Sequence, residues 1–510
     1  MAEATVPLPR TPRLRASALG RALFFLLLVG FLLLPIWLVE YPPLLDYPNH
    51  IARAFVLAHL HDPAFHFQQF YSADWGLYPY LAMDVSMLVL QGVFPVVLAA
   101  RIFLSLCVLV LPLAVWFFLR QANPREDHMA LWALLQAHSI FFLYSFLNFY
   151  LSVALCFLAV GLWLRYLTRP RLALWCLLVF VVTAAYFAHL IGFALAGLLI
   201  TTYSVFARRR LREILFSWLP FLPGLLLYVH SSRVGWGKFS DFTLRTPWGK
   251  VDGFTAIMHG YSMRLDLATL LALVGFFLVA RWRNPDFQWN TRWLGAAAVL
   301  FAVFCALPWG YSEEWDLDIR VLPVLFVVIL AIARVGPRGW RLAPLALLLF
   351  VLRTANVTQN FVAAQPELAG LARSFSATAA NARVLPVVEA DEDDPVRHPF
   401  AHFWAYGVVQ RGWFSPYLFQ IKGVIPLRIR YDAYSPDGFW DLSYDQSPDW
   451  TQAREDYDYV WAYNVPRFSA GLAAVGELVY EDGDLQVFRL NKPAESPSAR
   501  GSPRREELGN

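Results

Sequence analysis

The chain has 510 residues, of which 58% are hydrophobic and only 16% charged, with a formal net charge of +4. A soluble chain is about 45–50% apolar and about 25% charged. This composition therefore excludes a water-soluble multidomain protein, a disordered chain, a collagen, a coiled coil and a disulfide scaffold, and most of the surface must face lipid.

The charge divides unevenly. From Phe361 onward 14 basic residues stand against 21 acidic ones, a net of −7; the first 360 residues hold 28 and 17, a net of +11. A basic membrane portion is thus followed by an acidic, polar tail. Basic residues in such a chain mark cytoplasmic rims, so no nucleic-acid partner is expected. Cys107, Cys156, Cys176 and Cys305 all lie in apolar stretches, which suggests neither a disulfide frame nor a zinc site.

Apolar stretches of about 17–25 residues are the unit that crosses a bilayer. The first runs from Ala22 to Glu40 behind Arg10, Arg13, Arg15 and Arg21; it lacks a small-residue cleavage site and reads as a retained helix with a cytoplasmic N-terminal tail, residues 1–21. Further spans read at 98–119, 129–146, 149–165, 172–188, 190–206, 214–230, 267–281, 293–310, 320–335 and 341–356, giving about eleven transmembrane helices. With that count the arginine clusters at Arg120/Arg125, Arg165/Arg169/Arg171, Arg208 to Arg212, Arg281/Arg283/Arg292 and Arg334/Arg338/Arg341 all fall on the cytoplasmic side. The stretch Tyr80 to Val97 would invert every later loop if it crossed. With Asp84, Gln91, Gly92 and Pro95 inside it, it reads as an interfacial or re-entrant helix, with a twelfth span as the alternative.

The outer face then carries a large first loop (41–97), a turn at Asn148, a second large loop (231–266), residues 311–319 and the tail. The tail, residues 357–492, reads as a small extracytoplasmic α/β domain. It has helical spacing over Pro366 to Asn381 and strand-like runs at Arg383 to Val388, Phe403 to Gln410, Tyr459 to Asn464, Glu477 to Tyr480 and Leu485 to Leu490. The last two flank Glu481-Asp482-Gly483-Asp484, a hairpin signal. Residues 493–510, rich in Ser, Pro, Arg and Glu, read as disordered. The fold class is a polytopic α-helical membrane protein with this α/β domain at its C-terminus.

Candidate chemistry gathers on the outer side. The first loop opens Leu44-Leu45-Asp46-Tyr47-Pro48-Asn49-His50. A partly desolvated Asp46 at the membrane boundary can accept a proton from a hydroxyl or amine; the alternative reading is a helix N-cap with a proline in the first turn. Asn49 would share a helix face with Arg53, and His50 with Ala54. His59, His61, His66 and Asp62 have irregular spacing and give no metal set; a divalent cation is left open and no cofactor is assigned. Asp74 and Trp75 can bind sugar hydroxyls and stack on a ring face, although aromatic belts account for Trp75 as simply. His189 and Asn148 sit at outer turns, where an ionisable His189 is a functional hypothesis and Asn148 is as readily a helix cap as a ligand.

Arg233, Lys238, Arg245, Lys250 and Arg264 crowd the second outer loop against the positive-inside bias. An anionic ligand such as a lipid phosphate would account for them; pairing with Asp241, Asp252 and Asp266 is the alternative. Arg320 follows Glu313-Glu314-Trp315-Asp316-Leu317-Asp318 and either pairs with those acids or reaches a phosphate.

This plan resembles the GT-C glycosyltransferase superfamily: one span, a large outer loop opening with Asp46, an interfacial helix leading into Arg101, a polar turn at Asn148, a many-span body and a soluble C-terminal domain. In outline it is nearest the protein O-mannosyltransferases and the lipid A aminoarabinose transferases. The family often carries a second acidic residue where this chain has Tyr47, and an acidic residue at the turn where it has Asn148.

The resemblance implies a polyprenyl-phosphate-linked sugar donor and an envelope glycan, lipid or protein acceptor. It also implies displacement at the anomeric carbon with Asp46 as general base. Arg233, Lys238, Arg264 or Arg320 would hold the departing phosphate, and Asp74 would orient the sugar. The alternatives are a membrane transporter, against which the nearly charge-free span middles argue, and an envelope assembly protein. Arg outnumbers Lys 38 to 4, which suggests a GC-rich bacterial genome; the expected location is a bacterial cytoplasmic membrane.

Overall fold

A computed structural model describes residues 18–124, 126, 128–231, 242–285, 287–311, 315–336, 341–389, 396, 399–436 and 447–492. Arg233, Lys238, Asp241, Glu313 and Glu314 lie outside the described residues, as do most of the N-terminal tail and the 493–510 segment.

The chain folds mainly into apolar helices. Among the described residues five helices are long and apolar enough to cross a membrane: Val96–Ala122, Leu147–Thr168, Leu211–Ser231, Met263–Arg283 and Ala343–Ala377. The other six expected spans coincide with shorter apolar helices, at Ala22–Trp37, Met129–Tyr144, Leu172–Ala188, Leu190–Phe206, Thr291–Ala306 and Ile319–Ile332. Large apolar side chains line their outer surface, among them Phe180 (69% exposed), Leu226 (69%) and Leu271 (61%). A patch of that extent needs lipid against it. Inside, small residues let backbones approach: a Cβ on Gly192 would overlap Ser152 on the neighbouring helix, the close contact that membrane helices use in place of a hydrophobic drive.

The first helix, α1 (Ala18–Trp37), leads through a short connection into α2 (Tyr47–Ala58). A strand β1 (Tyr71–Ala73) and α3 (Leu81–Gln91) follow, and Pro95 opens the long α4 (Val96–Ala122). At 1.5 Å per residue the eleven residues of α3 rise about 16 Å, roughly half a bilayer core.

The expected span at 129–146 is broken. Helix Met129–Ala133 passes through a 3₁₀ turn and reforms at Ile140–Tyr144. Its residues are buried in protein, which is where irregular backbone is tolerated at membrane depth. Ile140–Tyr144 ends with Ser145 at φ 67°, while Ser145 N–H donates to Phe142 O and Phe146 N–H to Phe141 O. This is a Schellman end with serine where glycine usually sits.

In the tail, four strands form a mixed sheet: β2 (Val384–Val388), β4 (Tyr459–Tyr463), β6 (Leu485–Leu490) and β5 (Gly476–Asp482), in that spatial order. β2 runs parallel to β4 and the other pairs are antiparallel. Asp482 pairs with Leu485, so the hairpin loop is only Gly483-Asp484, and Gly483 supplies the positive φ (56°) a two-residue loop requires. The expected strand at Phe403 to Gln410 is instead a helix, Ala405–Arg411, stopped by Gly412 at φ 70°. Its residues are buried without alternation, and a left-handed glycine is a helix-end signal.

The tail does not stand apart from the first loop. β1 pairs with β3 (Leu427–Ile429), Tyr71 Oη donates to Ser415 O, and Ser415 N–H returns a bond to Tyr71 Oη. Asn381 Nδ2 donates to Ala64 O. Loop 41–97 and the tail make one unit capping one end of the bundle.

Candidate active site

Asp46 is placed by backbone. The Schellman end leaves the carbonyls of Leu143 and Tyr144 free to accept, and they take the N–H groups of Leu45 (3.0 Å) and Asp46 (3.1 Å). The broken helix therefore fixes where α2 begins. Asp46 stands at the N-cap of α2 with Pro48 in the first turn, but its side chain makes no capping hydrogen bond. The carboxylate turns to other neighbours: Oδ1 lies 3.6 Å from Nε2 of His402, a tail residue, and the side chain is 15% exposed. Burial pushes its carboxyl up to about 7, against the opposing charges of Arg320 and Arg53. Burial pulls the facing His402 down to about 3, so that ring is neutral at neutral pH. A carboxyl with a pKa near 7 is suited to accepting a proton.

A second cluster lies within electrostatic reach of Asp46 through Arg320. Arg320, buried, sits in the 3₁₀ turn Ile319–Val321. Its guanidinium donates to Trp315 O (2.9 Å), lies 2.8 Å from His189 Nε2 and 3.3 Å from Tyr80 Oη, and stacks over Phe146 (4.8 Å). His189 joins two helices, and its Nδ1 accepts the N–H of Ile191 at 3.0 Å. Nε2 faces the Arg320 guanidinium, which can only donate, and also contacts Tyr80 Oη, so the ring orients these two groups. A guanidinium and a phenol hydroxyl, held by His189, thus converge around one point, as an anion site requires.

The acids near Arg320 in sequence pair elsewhere. Arg245 donates to Asp316 (2.6 Å) and lies 3.2 Å from Asp318; Lys250 donates to Asp318 (2.8 Å) and to Phe304 and Leu307 carbonyls. Asp266 pairs with Arg353 at 2.6 Å. The basic residues of the second loop are therefore divided. Arg245 and Lys250 brace the acidic turn, with Asp316 and Asp318 as partners rather than Asp252 or Asp266, which the alternative reading named; Asp241 lies outside the described residues. Arg264 is exposed at the start of Met263–Arg283 and is not among the groups that meet Arg320.

The remaining candidates fall into supporting positions. Asn49 donates to Tyr417 O (2.9 Å) and accepts from Phe419 N–H (2.9 Å), so its amide docks the tail. His50 packs edge-on against Phe419 and lies 3.4 Å from Arg53, where burial and that cation hold it well below its usual range. Asn148 caps α3 from outside, accepting from Met83 N–H (2.9 Å) and donating to Tyr80 O (2.7 Å). Asp74 is 55% exposed, with Arg428 at 3.8 Å, and Trp75 is 48% exposed. They mark the rim where β1 meets the tail. Among the described residues no group of three His, Cys, Asp or Glu is placed to hold a metal.

Sequence reasoning missed Tyr80, His402 and the role of Arg53. Arg53 donates to Asp84 at 2.9 Å in a buried ion pair that ties α2 to α3. Tyr80 is brought in by a left-handed backbone (φ 76°) that no local pattern announces, and His402 lies 356 residues from Asp46 along the chain.

No family model matches the sequence and no curated protein matches it. Solved structures do. ArnT from Cupriavidus metallidurans bound to undecaprenyl phosphate superposes with a TM-score of 0.53 at 12% identity, covering 92% of this chain and 98% of that one. The apo state of the same protein gives 0.52 at 13% identity, covering 93% and 98%. The similarity covers nearly the whole of both chains, and this chain shares the fold of ArnT.

Proposed function

We propose that the protein is an integral membrane glycosyltransferase that moves a sugar from a polyprenyl-phosphate donor to an envelope glycan, lipid or protein. Its site would lie on the outer face of a bacterial cytoplasmic membrane. Eleven spans, a cytoplasmic N-terminus and an extracytoplasmic tail put every arginine cluster inside and Asp46 outside. The observation that carries the reading is Asp46, uncommitted to its helix cap and raised to about 7, under the opposing charge of Arg320, which Tyr80 and His189 hold in place. The undecaprenyl phosphate bound by ArnT supports a lipid-phosphate donor.

The acceptor oxygen attacks the anomeric carbon while its proton passes to the Asp46 carboxylate. The bond from that carbon to the phosphate oxygen breaks, its electron pair staying on the phosphate. Arg320, assisted by Tyr80 and His189, stabilises the charge that develops there. A phosphate leaving group needs no acid, so one carboxylate and one cation clamp suffice for inversion. Asp74 and Trp75 stand at the rim for sugar or acceptor, and Arg233, Lys238 and Arg264 remain as outer steering charges.

The test is a lipid and glycan mass spectrum of strains carrying the wild type, Asp46→Asn or no protein. A sugar-bearing species present only with the wild type supports the reading. Full output from correctly inserted Asp46→Asn would end it.

A further inference from the structure

The helices Leu147–Thr168 and Leu172–Ala188 carry Asn148 and the neighbour of His189 at one end. At the other end, about 30 Å away along the helix axis, their connection joins a second arginine-rich turn. Between residues 165 and 212 there are seven arginines and no acid until Glu213. The two turns border a cavity of about 430 Å³ whose lining includes Trp163, Tyr166, Trp175, Phe216, Arg209 and Arg212, with Glu213 as its one carboxylate. An adjoining recess of about 370 Å³ shares three of these rings and adds Arg171.

Its walls are a ring stack with cations at the edge. Trp175 stacks on Phe216 at 4.7 Å and meets Tyr166 at 5.1 Å. Arg209 reaches Glu213 only at 3.5 Å, with both side chains 41% exposed. Arg212 makes no hydrogen bond or ion pair among the described residues. Trp163 is 3% exposed, and its indole N–H likewise meets no acceptor there although the ring lines the cavity. The flanking surface is apolar: Leu172 is 77% exposed, Leu211 70% and Leu215 61%. Unpartnered donors in a ring-lined recess, beside leucines that face lipid, describe a ligand with an anionic head and hydrocarbon tails.

We propose that this cavity binds an anionic phospholipid. Its phosphate sits between Arg209, Arg212 and the Trp163 N–H, and its acyl chains lie over Leu172, Leu211 and Leu215. Basic pockets between membrane helices hold lipid headgroups by the same physics. The site is distinct from that of Asp46, at the opposite end of the same helices, and its occupancy does not depend on the glycosyltransferase reading.

The test uses the delipidated full chain in neutral detergent, titrated with phosphatidylglycerol or phosphatidylcholine of identical acyl chains and read by native mass spectrometry. Phosphatidylglycerol should bind about twenty-five-fold more tightly, and Arg209→Gln with Arg212→Gln should remove that preference, each arginine contributing about fivefold. Trp163→Phe, which keeps the ring and loses the donor, should weaken both lipids, since each carries the phosphate that the N–H meets; unchanged phosphatidylglycerol binding would remove that residue from the site. Equal binding of the two lipids by the wild-type chain would overturn the proposal without reference to any variant. So would displacement of the lipid by millimolar inorganic phosphate, which would make the cavity a site for a soluble anion.

Discussion

At the scale of single residues the site joins one carboxylate to one guanidinium, and their environments set what each can do. Asp46 is ionised in the fold only above about 7, against 3.8 for its ordinary value. Its raised pKa means the folded state favours the neutral acid. Its stabilising effect is complete below 3.8 and is lost as pH rises through about 7. His402 has the opposite sign: its pKa falls from 6.5 to about 3, so its contribution is present above 6.5 and lost as pH falls toward 3. The two trends oppose each other across the acid range. Asp46→Asn should therefore leave thermal stability at pH 8 equal to or above wild type, while lowering transfer by about 10²–10⁴-fold, the usual contribution of a general base. A thermal melt and a transfer assay on one preparation check both. Arg320→Lys keeps a charge but loses the fork that reaches Trp315, Tyr80 and His189 together. It should weaken binding of a polyprenyl-phosphate analogue about tenfold in a fluorescence competition assay, whereas Arg264→Ala should leave that binding unchanged.

At the scale of elements, the site is held by joints between helices that are not neighbours in sequence. The Arg53–Asp84 pair joins α2 to α3 with both groups buried. Removing one partner leaves the other charged and unpaired, so Arg53→Ala should cost about 3–5 kcal/mol, seen as a lower melting temperature in detergent. Asn148→Ala removes the cap on Met83 N–H and should cost about 1 kcal/mol, with a larger effect on substrate binding because the same amide holds the Tyr80 carbonyl. How far the elements could be read from sequence follows from the reach of each signal. Apolar runs and arginine flanks are local, and the helices and the β5–β6 hairpin were legible from them. Asp46 and Arg320 were legible as charges out of place. The break at Ser145 was not, because a serine at φ 67° has no sequence signature and the run Ile140–Tyr144 before it is wholly apolar. The Ala405–Arg411 helix was misread because buried tail segments rich in Val and Tyr resemble strands until Gly412 is recognised as its stop.

At the scale of the whole molecule, the first loop and the tail form a cap over one end of a lipid-facing bundle. The tail contributes His402 to the neighbourhood of Asp46 and the Tyr417 and Phe419 backbone to Asn49. Weakening that dock should lower activity without unfolding the bundle. Asn49→Ala is expected to reduce transfer and to increase proteolysis within the tail, with the helical circular dichroism unchanged. The proposed orientation makes a separate prediction. In a chain with Cys176 and Cys305 replaced by serine, cysteines placed at the exposed positions His61 and Thr243 should both react with an impermeant thiol reagent from the outer side. Labelling of only the first would mean that the chain crosses the membrane between them an odd number of times.

The central claim is that Asp46 is the base of a sugar transfer, and the most direct measurement is single-turnover transfer from a synthetic polyprenyl-phosphate sugar between about pH 5 and 9, in the wild type and Asp46→Asn. The account predicts a wild-type rate that rises through about pH 7 and levels off, and a variant slower by two orders of magnitude or more. A variant that transfers at the wild-type rate would contradict it.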